Sequence, residues 1–479
     1  MRLSTIQKDR ALGAIIASAA GDALGAPYEF QAPLPTDADV VLRPGGPWEL
    51  GEWTDDTAMA VPILRALAEG RRLDEEATLD ALVAEWAGWR RGAKDVGVQI
   101  GRVLGTIRSL TAADARRAAR ILHEQTGRSA GNGTLMRTAP VALAFLDEQP
   151  GTEDRLAAAA RAISDLTHFD PEAGDACVLW SLAIRHAILT GELDLRGQLA
   201  RIPADRRDVW AGRIDDAERR MPWDFPKNGW VVQALQAAWS AIVHADTLEQ
   251  RLVLAVRCGN DTDTVAAIAG ALAGAVHGVT ALPFRWRRHL HGWAGEGRVG
   301  THLDLQQWAV LAMGRGRADA KGWPSAARFP VGVDQTLLRH PLDEGVWLGD
   351  LAALDHLPAG VDAVVSLCRV GTEQVRVPAS EHHLVWIVDQ DGANADVDGV
   401  LTDAADAVAT FREEGCTVLV HCFEARSRTS AVAAAYAVRH LGAAPSGALE
   451  AVSGALPNYG PERFLVDAVR RLTPAGGAR

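Results

Sequence analysis

The period of the hydrophobic residues changes once along the chain, and that change sets what it can fold into. Up to about residue 295 apolar residues recur every three or four positions, the spacing of one helix face; beyond about residue 332 they gather in short β-branched runs. The first pattern predicts helices over 7–25, in the region 80–122, and over 174–189, 230–243, 248–257 and 265–278. The second predicts strands at 345–349, 362–367, 384–388 and 417–420, several separated by helical stretches, as in a parallel α/β domain. Between them, 295–332 is rich in Gly, Pro and Arg around one apolar helix, LQQWAVLAM, which is a linker composition. The expected organisation is multidomain: an all-α domain over 1–298, a linker over 299–329 and an α/β domain over 330–475.

Two polar clusters stand where loops become apolar helices. Thr54, Asp55 and Asp56 open one helix; Asp261, Asp263 and Thr264 open another some two hundred residues later. Such residues cap helix N-termini. Capping uses only one or two side chains, so four carboxylates and two threonines leave an acidic surplus that needs a cation. With no Cys or His in the set, the chemistry suits Mg²⁺ or Mn²⁺ and admits Ca²⁺, and adjacent aspartates can address two ions. Between the clusters, Ser129–Thr134 (SAGNGT) places two glycines around an Asn, so that backbone can approach a ligand closely ahead of a helix.

The second domain has its own chemistry. Residues 421–429, HCFEARSRT, follow a buried strand and precede a helix, so successive backbone N–H groups converge on one point and an anion belongs there. That field favours a Cys422 thiolate, Arg428 can clamp phosphate oxygens with its planar fork, and Thr429 can hydrogen-bond the sulfur.

These motifs carry resemblances. GDALGAPYEF (21–30), WTDDT (53–57), GNGTLMR (131–137), LTHFDPEA (166–173) and GNDTDT (259–264) resemble, in order, the motifs of ADP-ribosylglycohydrolases. The resemblance implies an all-helical fold with two Mg²⁺ or Mn²⁺ ions held by Thr54, Asp55, Asp56, Asp261, Asp263 and Thr264. It implies hydrolysis of the bond between ADP-ribose and an acceptor, with Glu29 as general base or water-orienting group, and Gly131, Asn132, Gly133, Thr134 and His168 at the ADP-ribose cleft. Arg137 either adds charge there or pairs structurally. The Cys422-x5-Arg428 loop resembles the signature of dual-specificity and tyrosine phosphatases. That implies a phosphorylated substrate, a Cys422 nucleophile and an Asp general acid about thirty residues earlier, Asp391 with Asp389 as rival. Ala425 stands where that family has Gly, and a backbone conformation favourable only to Gly would make it costly by about 1 kcal/mol. The alternative is a non-catalytic binder of ADP-ribose and phosphate with a pseudophosphatase domain.

A net charge of −12 over 479 residues argues against a general nucleic-acid binder. Five cysteines with no CxxC pair fit a reducing compartment. The run ALGAIIASAA behind Arg2, Lys8 and Arg10 imitates a signal peptide, but Asp9 and the Gly and Ala content speak against it. No run reaches membrane-span length, and the expected location is the cytoplasm.

Overall fold

The computed structural model describes residues 3–330 and 335–475, so positions 331–334 at the start of the expected α/β domain lie outside the described residues. The chain forms two compact units. The first comprises Met1–Leu3, Arg10–Leu282 and His289–Arg317; the second comprises Ser4–Asp9, Pro283–Arg288 and Ala318–Arg479.

The first unit is built from helices. Those around the site are α1 (Thr5–Gly25), which lies in this unit from Arg10 on, α2 (Asp55–Ala68), α3 (Pro171–Thr190), α4 (Val231–Val243), α5 (Thr262–His277) and α6 (His302–Met313). The small residues of α1 and α5 determine how close these two helices come. A Cβ at Gly21 would stand 2.1 Å from the Ala266 carbonyl oxygen, and one at Gly25 would stand 2.4 Å from Asp263 Cα. Backbone therefore touches backbone, and Ser18 Oγ donates to the Ala267 carbonyl at 3.0 Å while Thr262 Oγ1 donates to the Gly25 carbonyl at 2.9 Å. The run ALGAIIASAA is the buried body of α1. Among the described residues no helix is long and apolar enough to cross a membrane.

The stretch expected to begin the linker at residue 299 belongs instead to this unit. β1 (His291–Trp293) pairs antiparallel with β2 (Val299–Thr301), and α6 packs on α2 through buried Leu305, Trp308, Ala309 and Ala312. The Gly- and Arg-rich composition on both sides of that apolar face concealed it.

The second unit carries a sheet in the order β3 (Leu337–His340), β4 (Asp343–Gly349), β7 (Val418–His421), β5 (Ala363–Ser366), β6 (His382–Leu384). β3 runs antiparallel to β4 and the other pairings are parallel. β5 and β7 are buried at every position, as expected for a sheet covered on both faces. Helices α7 (Val397–Glu413) and α8 (Arg428–His440) pack on one another. The segment Pro283–Arg288 completes this core. Phe284 lies 5.1 Å from Phe411 and 4.5 Å from His383, ring to ring, and Arg287 pairs with Asp403 at 2.7 Å.

Candidate functional site

Asp22, near the end of α1, is fully buried and accepts hydrogen bonds from the backbone N–H groups of Thr54 (2.9 Å) and Thr57 (3.0 Å) and from the Thr57 hydroxyl (2.6 Å). One helix thus caps another. Neither Thr54 at the mouth of α2 nor Asp261 at the mouth of α5 makes a side-chain cap bond. Capping therefore does not account for the two clusters.

They meet instead. Thr54 Oγ1 lies 3.0 Å from Asp56 Oδ2 and 3.5 Å from both Asp55 Oδ1 and Asp263 Oδ2. Carboxylate oxygens of Asp22, Asp56 and Asp263 converge in one triad and those of Glu29, Asp261 and Asp263 in another, each within 4.8 Å. Asp56 Oδ1 is buried with no hydrogen-bond partner among the described residues. Burial raises the pKa of every carboxylate in the group, and in Asp55, Asp56, Asp263 and Glu29 the neighbouring carboxylates add to it. Asp55 is pushed up to about 7 and Glu29 to about 8. Buried carboxylates of this density call for a compensating cation. An all-oxygen set with an orphaned acceptor fits hard divalent ions such as Mg²⁺ or Mn²⁺.

Glu29 reaches the cluster because its strand of chain is pinned. The Phe30 N–H donates to the Asn260 carbonyl at 2.6 Å and the Asn260 N–H to the Gln31 carbonyl at 2.7 Å. Phe30 and Asn260 both adopt left-handed backbone, with φ of 59° and 60°, a conformation held at the expense of local strain. Asn132 Nδ2 donates to Asp261 Oδ2 at 2.7 Å and to the Asn228 carbonyl at 2.9 Å. Asn228 in turn accepts from the Asp261 N–H at 3.2 Å and donates to the Gly259 carbonyl at 2.8 Å.

A cleft of about 920 Å³ opens over the cluster, lined among others by Glu29, Asp55, Asn132, His168 and Trp230. Gly131 and Gly133 also line it, and a Cβ would crowd its neighbours: one at Gly131 would lie 3.1 Å from His168 Nε2, and one at Gly133 would lie 2.8 Å from Ile100 Cδ1. Arg137 Nη2 donates to Thr167 Oγ1 at 2.6 Å, and that hydroxyl lies 2.7 Å from His168 Nδ1. With its oxygen accepting from Arg137, Thr167 gives its proton to Nδ1, which leaves Nε2–H as the donor. Burial holds the ring well below its ordinary pKa and so neutral.

Two expected contacts turn inward. Thr134 is fully buried and its hydroxyl accepts from Cys177 Sγ at 3.6 Å, because the turn rolls it away from the cleft. Arg137 is fully buried over the Trp86 ring at 4.2 Å, and burial lowers its pKa to about 9; of its two readings the structural one holds. Asn228 and Trp230 were not expected. They precede α4 in a turn marked in the sequence by Pro226 and the Asn228–Gly229 pair, and a bridge from Trp230 to Gly131 brings them to the cleft.

In the second unit, the loop from Cys422 to Ser427 joins β7 to α8, with Arg428 the first residue of that helix. Cys422 is buried and its N–H donates to the Gly349 carbonyl at 3.4 Å. Arg428 Nη1 donates to the Leu367 carbonyl at 2.7 Å, and its Nε lies 3.7 Å from Asp389 Oδ2. Ser427 Oγ donates to the same carboxylate at 2.6 Å. Thus Asp389 reaches the loop, whereas Asp391, the favoured general acid, sits two residues on in an exposed turn. Thr429 is buried with its hydroxyl aimed at the Gly349 carbonyl, at 3.4 Å, rather than bonded to sulfur. Ala425 has φ of 53°, the left-handed backbone that makes a residue with a Cβ unfavourable there.

The family model for ADP-ribosylglycohydrolases matches residues 3–319. The ADP-ribosyl-[dinitrogen reductase] glycohydrolase of Rhodospirillum rubrum is 32% identical over 324 residues, 64% of this chain and 96% of its own. The ADP-ribosylarginine hydrolase Tri1 of Serratia proteamaculans (strain 568) is 29% identical over 284 residues, 58% of this chain and 74% of its own. A crystal structure of human DUSP28 is matched over 30% of this chain and 95% of its own, at 25% identity and a TM-score of 0.27. By the match over residues 3–319, this chain belongs to the ADP-ribosylglycohydrolase family.

Proposed function

We propose that the first unit hydrolyses the glycosidic bond between ADP-ribose and an acceptor, with Thr54, Asp55, Asp56, Asp261, Asp263 and Thr264 holding two Mg²⁺ or Mn²⁺ ions. The observation that carries this is the convergence of two distant helix mouths on one buried, all-oxygen cluster beneath a cleft. When bound, such ions supply Lewis acidity and lower the pKa of water. The chain's own residues do the rest. Glu29, converging with Asp261 and Asp263 at the edge of the cleft, takes the proton of the attacking water. The water oxygen bonds to C1″, the bond from C1″ to the acceptor breaks, and the acceptor leaves with a proton. Asn132 holds Asp261 in place, and His168 Nε2–H donates to ADP-ribose beside the close backbone of Gly131 and Gly133.

The test is release of free ADP-ribose from an ADP-ribosylated protein by chelated enzyme, with Mg²⁺ or Mn²⁺ then added back. Activity should vanish and return, and Glu29→Gln should lower kcat by about 10²- to 10⁴-fold. Full activity in chelator, or a wild-type rate in Glu29→Gln, would overturn the reading.

The second unit supports a further reading: a phosphate-ester site with Cys422 as nucleophile and Arg428 as clamp, favoured by the strand, loop and helix arrangement of 418–440. Asp389, bonded to Ser427, takes the place of Asp391 as acid. The strained Ala425 opposes turnover. Ala425→Gly should raise phosphatase turnover and Cys422→Ser should abolish it while phosphate-ester binding remains; binding without turnover in both wild type and Ala425→Gly would leave the loop a phosphate reader.

A further inference from the structure

The backbone at Gly131 does not require glycine. Its φ of −66° and ψ of 156° are extended geometry open to any residue, so what the position supplies is room beside a bare Cα. Two side chains of the cleft wall share that room. A Cβ on Gly131 would stand 3.1 Å from His168 Nε2 and 3.5 Å from Gln99 Oε1, so the two atoms face one point from different parts of the chain.

The hydrogen bonds around them fix what each atom offers. Gln99 Nε2 donates to the Ser129 carbonyl at 2.8 Å and to the Thr167 carbonyl at 3.0 Å. Both partners are acceptors, which sets the orientation of the amide and spends both of its hydrogens, leaving Oε1 as an acceptor toward the cleft. His168 is held the other way. Arg137 Nη2 donates to Thr167 Oγ1, Thr167 gives its own proton to His168 Nδ1, and Nε2–H is left as a donor. The same guanidinium donates to the Gly133 carbonyl at 3.2 Å and so steadies the loop that carries Gly131.

A donor and an acceptor at one point make a specific demand. A phosphate oxygen satisfies the first and is repelled by the second, and an ammonium group does the reverse. The edge of a base carries its donor and acceptor on separate atoms. A hydroxyl meets both with one atom, accepting from Nε2–H and donating to Oε1. ADP-ribose carries such hydroxyls on its two riboses.

We propose that Gln99 is a specificity-determining residue that recognises, together with His168, one ribose hydroxyl of the ADP-ribose unit against Gly131, and that Arg137 and Thr167 are positioning residues that hold His168 as the donor. The proposal rests on the hydrolase reading above.

The experiment measures calorimetric binding to the full chain in Mg²⁺, with ADP-ribose and four analogues that each lack one hydroxyl: 2′, 3′, 2″ or 3″. In wild type the analogue without the recognised hydroxyl should bind about tenfold more weakly than ADP-ribose, or worse. Gln99→Leu, and Gly131→Ala, which sets a methyl group between the two atoms, should each cut that one penalty to about threefold or less and leave the others as they are. Which analogue responds tells the adenosine ribose from the terminal one. Thr167→Val breaks the relay without touching Gln99 and should cut the same penalty, while Thr167→Ser restores it. Nitrogen-15 spectra of histidine-labelled protein should show His168 protonated at Nε2 in wild type and Thr167→Ser, and no longer in that single form in Thr167→Val. Where Thr167→Val fails to fold, Gln99→Leu and Gly131→Ala carry the test. Penalties that no variant changes selectively, a parallel fall for all five ligands, or wild-type His168 protonated at Nδ1 would overturn the pair and leave the hydrolase reading standing. Failure of wild type to bind ADP-ribose overturns that reading, and the pair with it.

Discussion

Asp56 shows most plainly that the buried acidic group is built for something other than folding. One of its oxygens has no partner among the described residues, and burial and its neighbours Asp22 and Asp55 raise its pKa far above that of a free carboxylate. Metal-free protein should therefore have an unusual pH dependence. A carboxylate whose folded pKa exceeds its unfolded value stays protonated in the fold after the unfolded chain has released its proton, so stability falls as pH rises between the two. With Asp55 at about 7 and Glu29 at about 8 against ordinary values of 3.8 and 4.5, the melting temperature in chelator should fall from about pH 4 to pH 8. Mg²⁺ should flatten that fall, and Asp56→Asn should raise the melting temperature in chelator. A stability that climbs across this window in chelator would show the carboxylates to be compensated by something else. At this scale the sequence was partly legible. Thr54, Asp55, Asp56, Asp261 and Asp263 stood out because their chemistry is contiguous with a helix start, while Asp22 as a cap, Asn228 and Trp230 depend on which segments meet. The inward turns of Thr134 and Thr429 are likewise set by backbone direction, which residue type does not record.

Helices α1 and α5 are the elements that hold the centre together. Their contact is backbone on backbone, and a methyl group at Gly21 would lie 2.1 Å from the Ala266 carbonyl oxygen, so one helix must move. Gly21→Ala should cost about 1–3 kcal/mol by overpacking. Because Asp22 follows directly and caps α2, it should also weaken metal binding, which chemical denaturation and a metal titration on the same sample would show. Unchanged stability would mean that the two helices part without strain. The small residues were visible in the sequence as a licence for close packing, but not which helix would use it. The strands β4, β5 and β7 were legible from their β-branched runs; β3, Leu337–His340, was not expected, and at 384–388 the ladder covers His382–Leu384 instead because the buried histidines pair with β5. In place of a linker from residue 299 stand a strand and α6, whose single apolar face was seen without its partner.

At the scale of the whole molecule, the units are not cut from the chain at a single point. The second includes Pro283–Arg288, and half-buried Asp403 there pairs with the buried Arg287 and His383. A fragment beginning at residue 318 lacks Arg287 and leaves that carboxylate with a buried charge to accommodate. Arg287→Ala should destabilise the second unit by about 3–5 kcal/mol, the loss seen when one partner of a buried pair is removed. The isolated fragment should unfold more readily than the same residues in the full chain, and equal stability would set this segment aside as decoration. The central claim is that residues separated by some two hundred positions form one metal centre, and Asp263, the carboxylate common to both oxygen triads, tests it most directly. Equilibrium titration of the full chain with Mn²⁺, followed by electron paramagnetic resonance, should find two ions bound to wild type and neither held tightly by Asp263→Asn. Tight binding that survives in Asp263→Asn, or no tight binding by wild type, would contradict it.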